Sequence, residues 1–244
     1  MRVRVIDYET TGFDDDANAE VIEVGYVDLD TETLQIVGWD SCMAAPEKRQ
    51  IGPDTMAVHH ITNREVADRG VSRPEMWSRL MNDLLDDLPK GNLVLAAHNA
   101  NFEQAFTPGA DMFRWICTAK CARVLWPDAP SYKNQVLRYW LGVDDLVELF
   151  DRAVAMPPHR ALPDAYVTSF LLREMLRIKS VDELVEISRW PALLRDVNFG
   201  KHRGSTFKDL PSGYLEWILG ADFDEDTRFT ARYWLKKRKE TEAA

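Results

Sequence analysis

The sequence predicts an α/β domain of about 180 residues followed by a small second unit. Three observations carry this. Strand-like segments with short links fill the first 43 residues. Short apolar runs then alternate with helix-period patterns as far as residue 178. After Trp190-Pro191 the composition turns aromatic and basic. The expected boundaries are 1–179 for the main domain, 180–194 for a helical linker and 195–244 for the accessory unit.

Residues 2–7, 21–30 and 34–43 have strand character, and the polar stretch 28–33 makes a tight connection. Consecutive strands with such short links form an antiparallel meander. Residues 53–68 are short helices or loop. Residues 74–88 follow as a helix, with Ser72 as N-cap and Pro74 in the first turn. Its apolar stripe is Trp77, Leu80, Met81, Leu84, Leu85 and Leu88. After Lys90-Gly91-Asn92, residues 93–97 form a continuous apolar run, as a buried central strand requires. A helix starts near Asn101, a last strand covers 115–117, and helices cover 118–126, 134–141, 161–178 and 180–189.

No apolar run approaches membrane-spanning length, so no membrane partner is expected. The N-terminal run Met1-Arg2-Val3-Arg4-Val5-Ile6-Asp7 meets a charge after only a few residues, so no signal peptide is expected and a cytoplasmic location is predicted. The three cysteines, Cys42, Cys117 and Cys121, read as free thiols in a reducing compartment. The four-residue spacing of the last two fits small core residues better than a zinc pair. Net charge is −10, which argues against a protein that coats nucleic acid. Residues 195–244 nevertheless hold ten Lys/Arg against nine Asp/Glu, leaving −11 on the rest. The run Lys236-Lys237-Arg238-Lys239 reads as a solvated helix end.

Three motifs carry chemistry. In Asp7-Tyr8-Glu9-Thr10-Thr11-Gly12, two carboxylates two residues apart share one strand face. They repel unless a cation intervenes, and their oxygens suit Mg²⁺ or Mn²⁺. In His98-Asn99-Ala100-Asn101-Phe102-Glu103, an acid opens a helix behind the central strand. In His159-Arg160-Ala161-Leu162-Pro163-Asp164, a loop histidine stands five residues ahead of a helical aspartate. Alone, each has a plainer reading: solvated acids, an acidic helix start, a structural histidine.

Together, in this order and spacing, the motifs resemble those of the DEDDh exonucleases, DxET, HNxxF(D) and Hx₄D. The histidine of the third motif indicates the DEDDh branch. Met56-Ala57-Val58-His59-His60-Ile61-Thr62, Trp115-Ile116-Cys117-Thr118 and Phe199-Gly200-Lys201-His202-Arg203-Gly204 are similar to the exonuclease X group within it. The resemblance runs nearly end to end. One position departs: residue 103 is Glu where the family has Asp.

The resemblance implies an RNase H-like fold, a five-stranded mixed sheet flanked by helices. It implies release of nucleoside 5′-monophosphates from DNA 3′ ends, single-stranded or duplex, in repair or recombination. Two Mg²⁺ or Mn²⁺ ions are implied, with Asp7 bridging and Glu9 and Asp164 completing one site. Glu103 supports the pair, and His159 takes the water proton. Histidine suits that task because it ordinarily titrates near neutral pH. Thr10, Phe13, His59 and Asn99 are expected at the terminal nucleotide, with Phe13 stacking on its base. Lys201 and Arg203, between glycines, are expected on duplex phosphates. Two other readings stay open, an RNA-trimming enzyme of the RNase T kind and a catalytically impaired nucleic-acid-binding module. No protein partner is assigned.

Overall fold

A computed structural model of the chain describes residues 1–13, 15–85, 93–146 and 148–242. The end of the expected 74–88 helix, with Leu88, and the Lys90-Gly91-Asn92 link lie outside the described residues. The strands are β1 (Arg2–Thr10), β2 (Val21–Asp30), β3 (Ile36–Met43), β4 (Val94–Ala97) and β5 (Arg114–Cys117). The larger unit carries α1 (Pro53–His59), α2 (Asn63–Arg69), α3 (Arg73–Leu85), α4 (Asn101–Phe106) and α5 (Thr118–Leu125). It continues with α6 (Asn134–Trp140), α7 (Ala161–Leu176) and α8 (Val181–Arg189). The second unit carries α9 (Ser212–Gly220) and α10 (Glu225–Glu242).

The sheet order is β3-β2-β1-β4-β5. β3, β2 and β1 are antiparallel neighbours, the expected meander, while β4 and β5 run parallel to β1. This is the five-stranded mixed sheet flanked by helices. Among the described residues no helix is long and apolar enough to cross a membrane.

Strand periodicity sorts the core. Val3 and Val5 of β1 face one side, with Val94, Ala96 and Ile116, under α5, α7 and α8. Ile6 and Tyr8 face the other side, with Leu95, Trp115 and Cys117, under Met76, Leu80 and Leu84 of α3. On the first side, continuing past Val3 and Val5 leads to Asp7 and Glu9. The apolar face of β1 therefore becomes a carboxylate face at its C-terminal end. Ser72 caps α3 as expected, its Oγ accepting from Glu75 N. Cys117 and Cys121 are free, buried and small, on opposite sides of the sheet.

Two buried arginines also hold the first unit. Arg4 donates to Asp28 through Nε (2.8 Å) and Nη2 (2.6 Å), and Nη1 donates to the Leu80 carbonyl. Arg138 of α6 clasps Asp144 through two 2.7 Å bonds.

The chain divides into Met1–Ser188 and Arg189–Ala244. The segment 180–194, expected as a linker, puts Val181, Leu184 and Val185 of α8 into the first core. The second unit has its own core of Val197, Phe207, Leu210, Leu215, Ile218 and Ala231. Within it, Arg238 donates to the carbonyls of Lys208 (2.8 Å) and Leu210 (2.6 Å), so part of the basic run is structural. Lys237 pairs with Glu240 at 3.4 Å.

The contact that positions the site lies at Gly25, opposite Asp7 in the β1–β2 register. A Cβ there would stand 2.3 Å from Leu162 N and 2.4 Å from Ala161 C, so the first turn of α7 rests on bare strand backbone. Both partners are main chain, and neither can swing away. Gly25→Ala is therefore expected to cost about 1–3 kcal/mol or more, as overpacking does. Urea denaturation checks this, and a midpoint matching wild type would show that α7 is not seated on Gly25.

Candidate active site

Three elements bring the motifs together. β1 delivers Asp7 and Glu9 on one face. The first turn of α7 delivers Asp164, and α4 begins at Asn101 and delivers Glu103. Carboxylate oxygens of Asp7, Glu9 and Asp164 all lie within 4.8 Å of one another. They open into a cavity of about 390 Å³, also lined by Thr10, Phe13, His59, Glu103 and His159.

Each carboxylate-bearing segment is braced. Asp164 Oδ1 accepts from Gln135 Nε2 and Oδ2 from the backbone N of His159, both at 2.8 Å. The second bond pins His159 in a left-handed conformation, φ 60°, which a non-glycine residue seldom adopts. Glu23, opposite Glu9 on β2, accepts from Arg160 Nη2 (2.6 Å), Arg160 Nε (3.0 Å) and Ala161 N (2.9 Å). These three bonds tie the entry of α7 to the sheet. The Thr107 hydroxyl donates to the Glu103 carbonyl at 2.7 Å, so the Tyr8 hydroxyl donates to Thr107 Oγ1 at 3.0 Å. That chain fixes α4 against β1.

Glu103 is 3% exposed in the first turn of α4. It lines the cavity and its charge is felt at Asp7, but it stands outside the tight group of three.

The electrostatics follow from crowding acids in a half-buried place. Burial, then the charges of Asp164, Glu9, Glu103 and Glu23, push the Asp7 carboxyl well above its ordinary range. Burial, Glu23 and Asp164 push Glu9 up to about 8, against the pull of Arg160. Burial raises Asp164 too, partly offset by the bonds from His159 and Gln135. Clustered oxygen donors that resist ionising beside one another fit hard divalent cations, which would neutralise all three.

The other expected residues fall in different places. Phe13 lines the mouth and is 76% exposed. Thr10 lines the wall with its hydroxyl bonded to Gly12 O at 2.5 Å. His59 is 2% exposed, and its Nδ1 accepts from Ile61 N at 2.9 Å. Asn99 sits in a left-handed turn, φ 77°, and is not among the lining residues. Its neighbour His98 is structural. Its Nε2 donates to Tyr132 O at 2.8 Å, so Nδ1 accepts from the Thr118 hydroxyl, and burial lowers its pKa to about 4. Lys201 and Arg203 belong to the second unit.

Sequence reasoning missed Gln135, Glu23 and Arg160. Nothing local marks Gln135. Glu23 did carry a signal, an acid inside the apolar run Val21-Ile22-Glu23-Val24, which a buried strand tolerates only with a partner.

Residues 5–172 match a family model described as Exonuclease (RNase_T). The chain is 30% identical over 247 residues to exodeoxyribonuclease 10 of Escherichia coli strain K12, covering 96% of this chain and 99% of that protein. Among solved structures it is similar to exonuclease X in complex with 5′-overhanging duplex DNA. That likeness has 31% identity and a TM-score of 0.54, over 76% of this chain and 99% of that one. The nuclease domain of 3′hExo, a DEDDh family member bound to rAMP, shares the fold. Its TM-score is 0.54 at 20% identity, over 72% of this chain and 92% of that one.

Acids with raised folded pKa values hold protons that the unfolded chain has released. The cation-free protein therefore loses stability as pH rises from the ordinary glutamate value of 4.5 through about 8, the window set by Glu9. Divalent cations compete with those protons and should restore stability most at the upper end. Thermal melts in EDTA, with and without excess Mg²⁺ or Mn²⁺, check this. A cation-free midpoint that rises across the window would contradict it. Asp7→Asn should flatten the dependence.

Proposed function

Since this chain belongs to the DEDDh exonuclease family, we propose that it removes nucleotides from DNA 3′ ends as nucleoside 5′-monophosphates. The observation that carries this reading is the meeting of Asp7, Glu9 and Asp164 within 4.8 Å, beside His159 in one open cavity. DNA is favoured over RNA by the 30% identity to an exodeoxyribonuclease across 96% of the chain.

Asp7, Glu9 and Asp164, with Glu103 behind them, would hold two Mg²⁺ or Mn²⁺ ions. Bound there, such ions neutralise the phosphate, make a water more acidic and stabilise the leaving 3′ oxygen. The imidazole of His159, exposed on its loop and tethered through its own backbone to Asp164, accepts the water proton. Gln135 and Glu23 keep Asp164 and the His159 loop in register. Phe13 offers its open ring to the terminal base. Thr10 and His59 form the wall behind that nucleotide, Thr10 also fixing the Gly12 turn.

Single-turnover degradation of a 5′-labelled oligonucleotide tests the reading. Wild type with Mg²⁺ should give a ladder shortening from the 3′ end, abolished by EDTA. Asp7→Asn should lose at least roughly 10³-fold, as removal of a principal charge-stabilising group does. His159→Ala should lose about 10²–10⁴-fold, the usual share of a general base, while keeping the cation-induced rise in melting temperature. An Asp7→Asn rate within about tenfold of wild type would overturn the assignment.

Loss of charge in Glu103→Gln should slow cleavage by about 10²-fold, because the family places a carboxylate beside the ions at this position. The same single-turnover assay reads it. Wild-type speed would make Glu103 a helix-start residue outside the site.

A further inference from the structure

The two units differ in charge. Residues 189–244 hold eleven Lys/Arg and nine Asp/Glu, a net of +2, which leaves −12 on residues 1–188. The larger unit's field opposes a polyanion, and the smaller unit's field favours one.

The smaller unit also displays aromatic surface at the edge of its core, where Tyr214 is partly buried against the core and Trp217 stands outside it. On α9, Leu215 and Ile218 point into the core. Tyr214 and Trp217, three residues apart, share a different face. Their rings lie 5.0 Å apart at 32°, and the His202 ring packs 4.5 Å from Tyr214. The inner end of this array is anchored, with Trp217 against Phe223 and Phe223 against Phe199. Trp217, in the middle of the array, is nevertheless 51% exposed.

Cations stand beside it. Lys201 Nζ lies 5.6 Å from the Tyr214 ring centroid, and Arg203 is exposed two residues on. Glycine makes this approach possible. Gly200 has φ 58°, and a Cβ there would lie 2.6 Å from Tyr214 Oη.

We propose that this face binds single-stranded DNA, with the exposed Trp217 stacking on an unpaired base, Tyr214 backing it, and Lys201 and Arg203 on the flanking phosphates. A duplex hides its base faces and has nothing to offer an open indole, whereas every unpaired base has a π-face. The occupant thus differs from the duplex that the sequence suggested for Lys201 and Arg203. The proposal rests on the nuclease reading only for the choice of DNA as the nucleic acid.

Fluorescence anisotropy of labelled oligo(dT), with the full-length chain in EDTA to prevent cleavage, tests it. Trp217→Ala should weaken binding by about 5-fold to 10²-fold, the usual loss for one stacked base, and Trp217→Phe should keep most of it. The double variant Lys201→Gln/Arg203→Gln, changing only exposed side chains, should lower the slope of log affinity against log salt by roughly 1.4. It carries the test if Trp217→Ala does not fold. Unchanged oligo(dT) affinity and slope in folded variants would overturn the proposal. So would losses confined to blunt duplex, tighter binding of oligo(rU) than oligo(dT) at this face, or an effect confined to self-association. Mononucleotide release by the wild type with Mg²⁺ is scored separately. If release is absent while the binding losses appear, the nuclease reading fails and the DNA-binding face stands.

Discussion

The seat of α7 on β2 is the constraint on which the site depends. Asp7 and Glu9 come from the first strand and Asp164 from a helix far along the chain, so their meeting is decided by tertiary packing. Gly25 lets the first turn of α7 touch strand backbone directly, and Glu23 fastens it there with bonds from Arg160 and Ala161. β2 thus sets the position of an acid that β1 needs. The same Glu23 raises the pKa of Glu9 while Arg160 lowers it, so one ion pair both places the helix and tempers the charge.

The site departs from the rule that governs the rest of the sheet. Along one face of β1, Val3 and Val5 bury apolar surface, and the next two positions on that face are carboxylates. A fold gains nothing from crowding acids there; the raised pKa values of Asp7, Glu9 and Asp164 record the strain. Such a local cost is tolerated where it makes a function possible. Here three carboxylates meet at one cavity, and bonds from Gln135 and between Tyr8 and Thr107 hold the segments that carry them.

Much of this was legible in the sequence, for stated reasons. Alternation showed the meander, a continuous apolar run showed β4, and Ser72 announced α3. Asp7, Glu9, His159 and Asp164 stood at element ends, where a carboxylate or imidazole can leave the core and face a cavity. What stayed hidden depends on pairs distant in sequence. Arg4 in β1 looks like a surface residue until Asp28 and Leu80 close around it. Gln135 has no local pattern because its partner is Asp164. The burial of His59 follows from where α1 lands. The packing of α8 on the first core was equally invisible, since an amphipathic helix does not announce which neighbour covers it.

The central claim is that the oxygens of Asp7, Glu9 and Asp164 form a cage for catalytic divalent cations. Anomalous diffraction from crystals grown with Mn²⁺ and a nucleoside 5′-monophosphate addresses this most directly. The account predicts two manganese peaks in contact with these carboxylates, with the nucleotide phosphate beside them and His159 facing it. Saturating Mn²⁺ with no peak among the three carboxylates would contradict it.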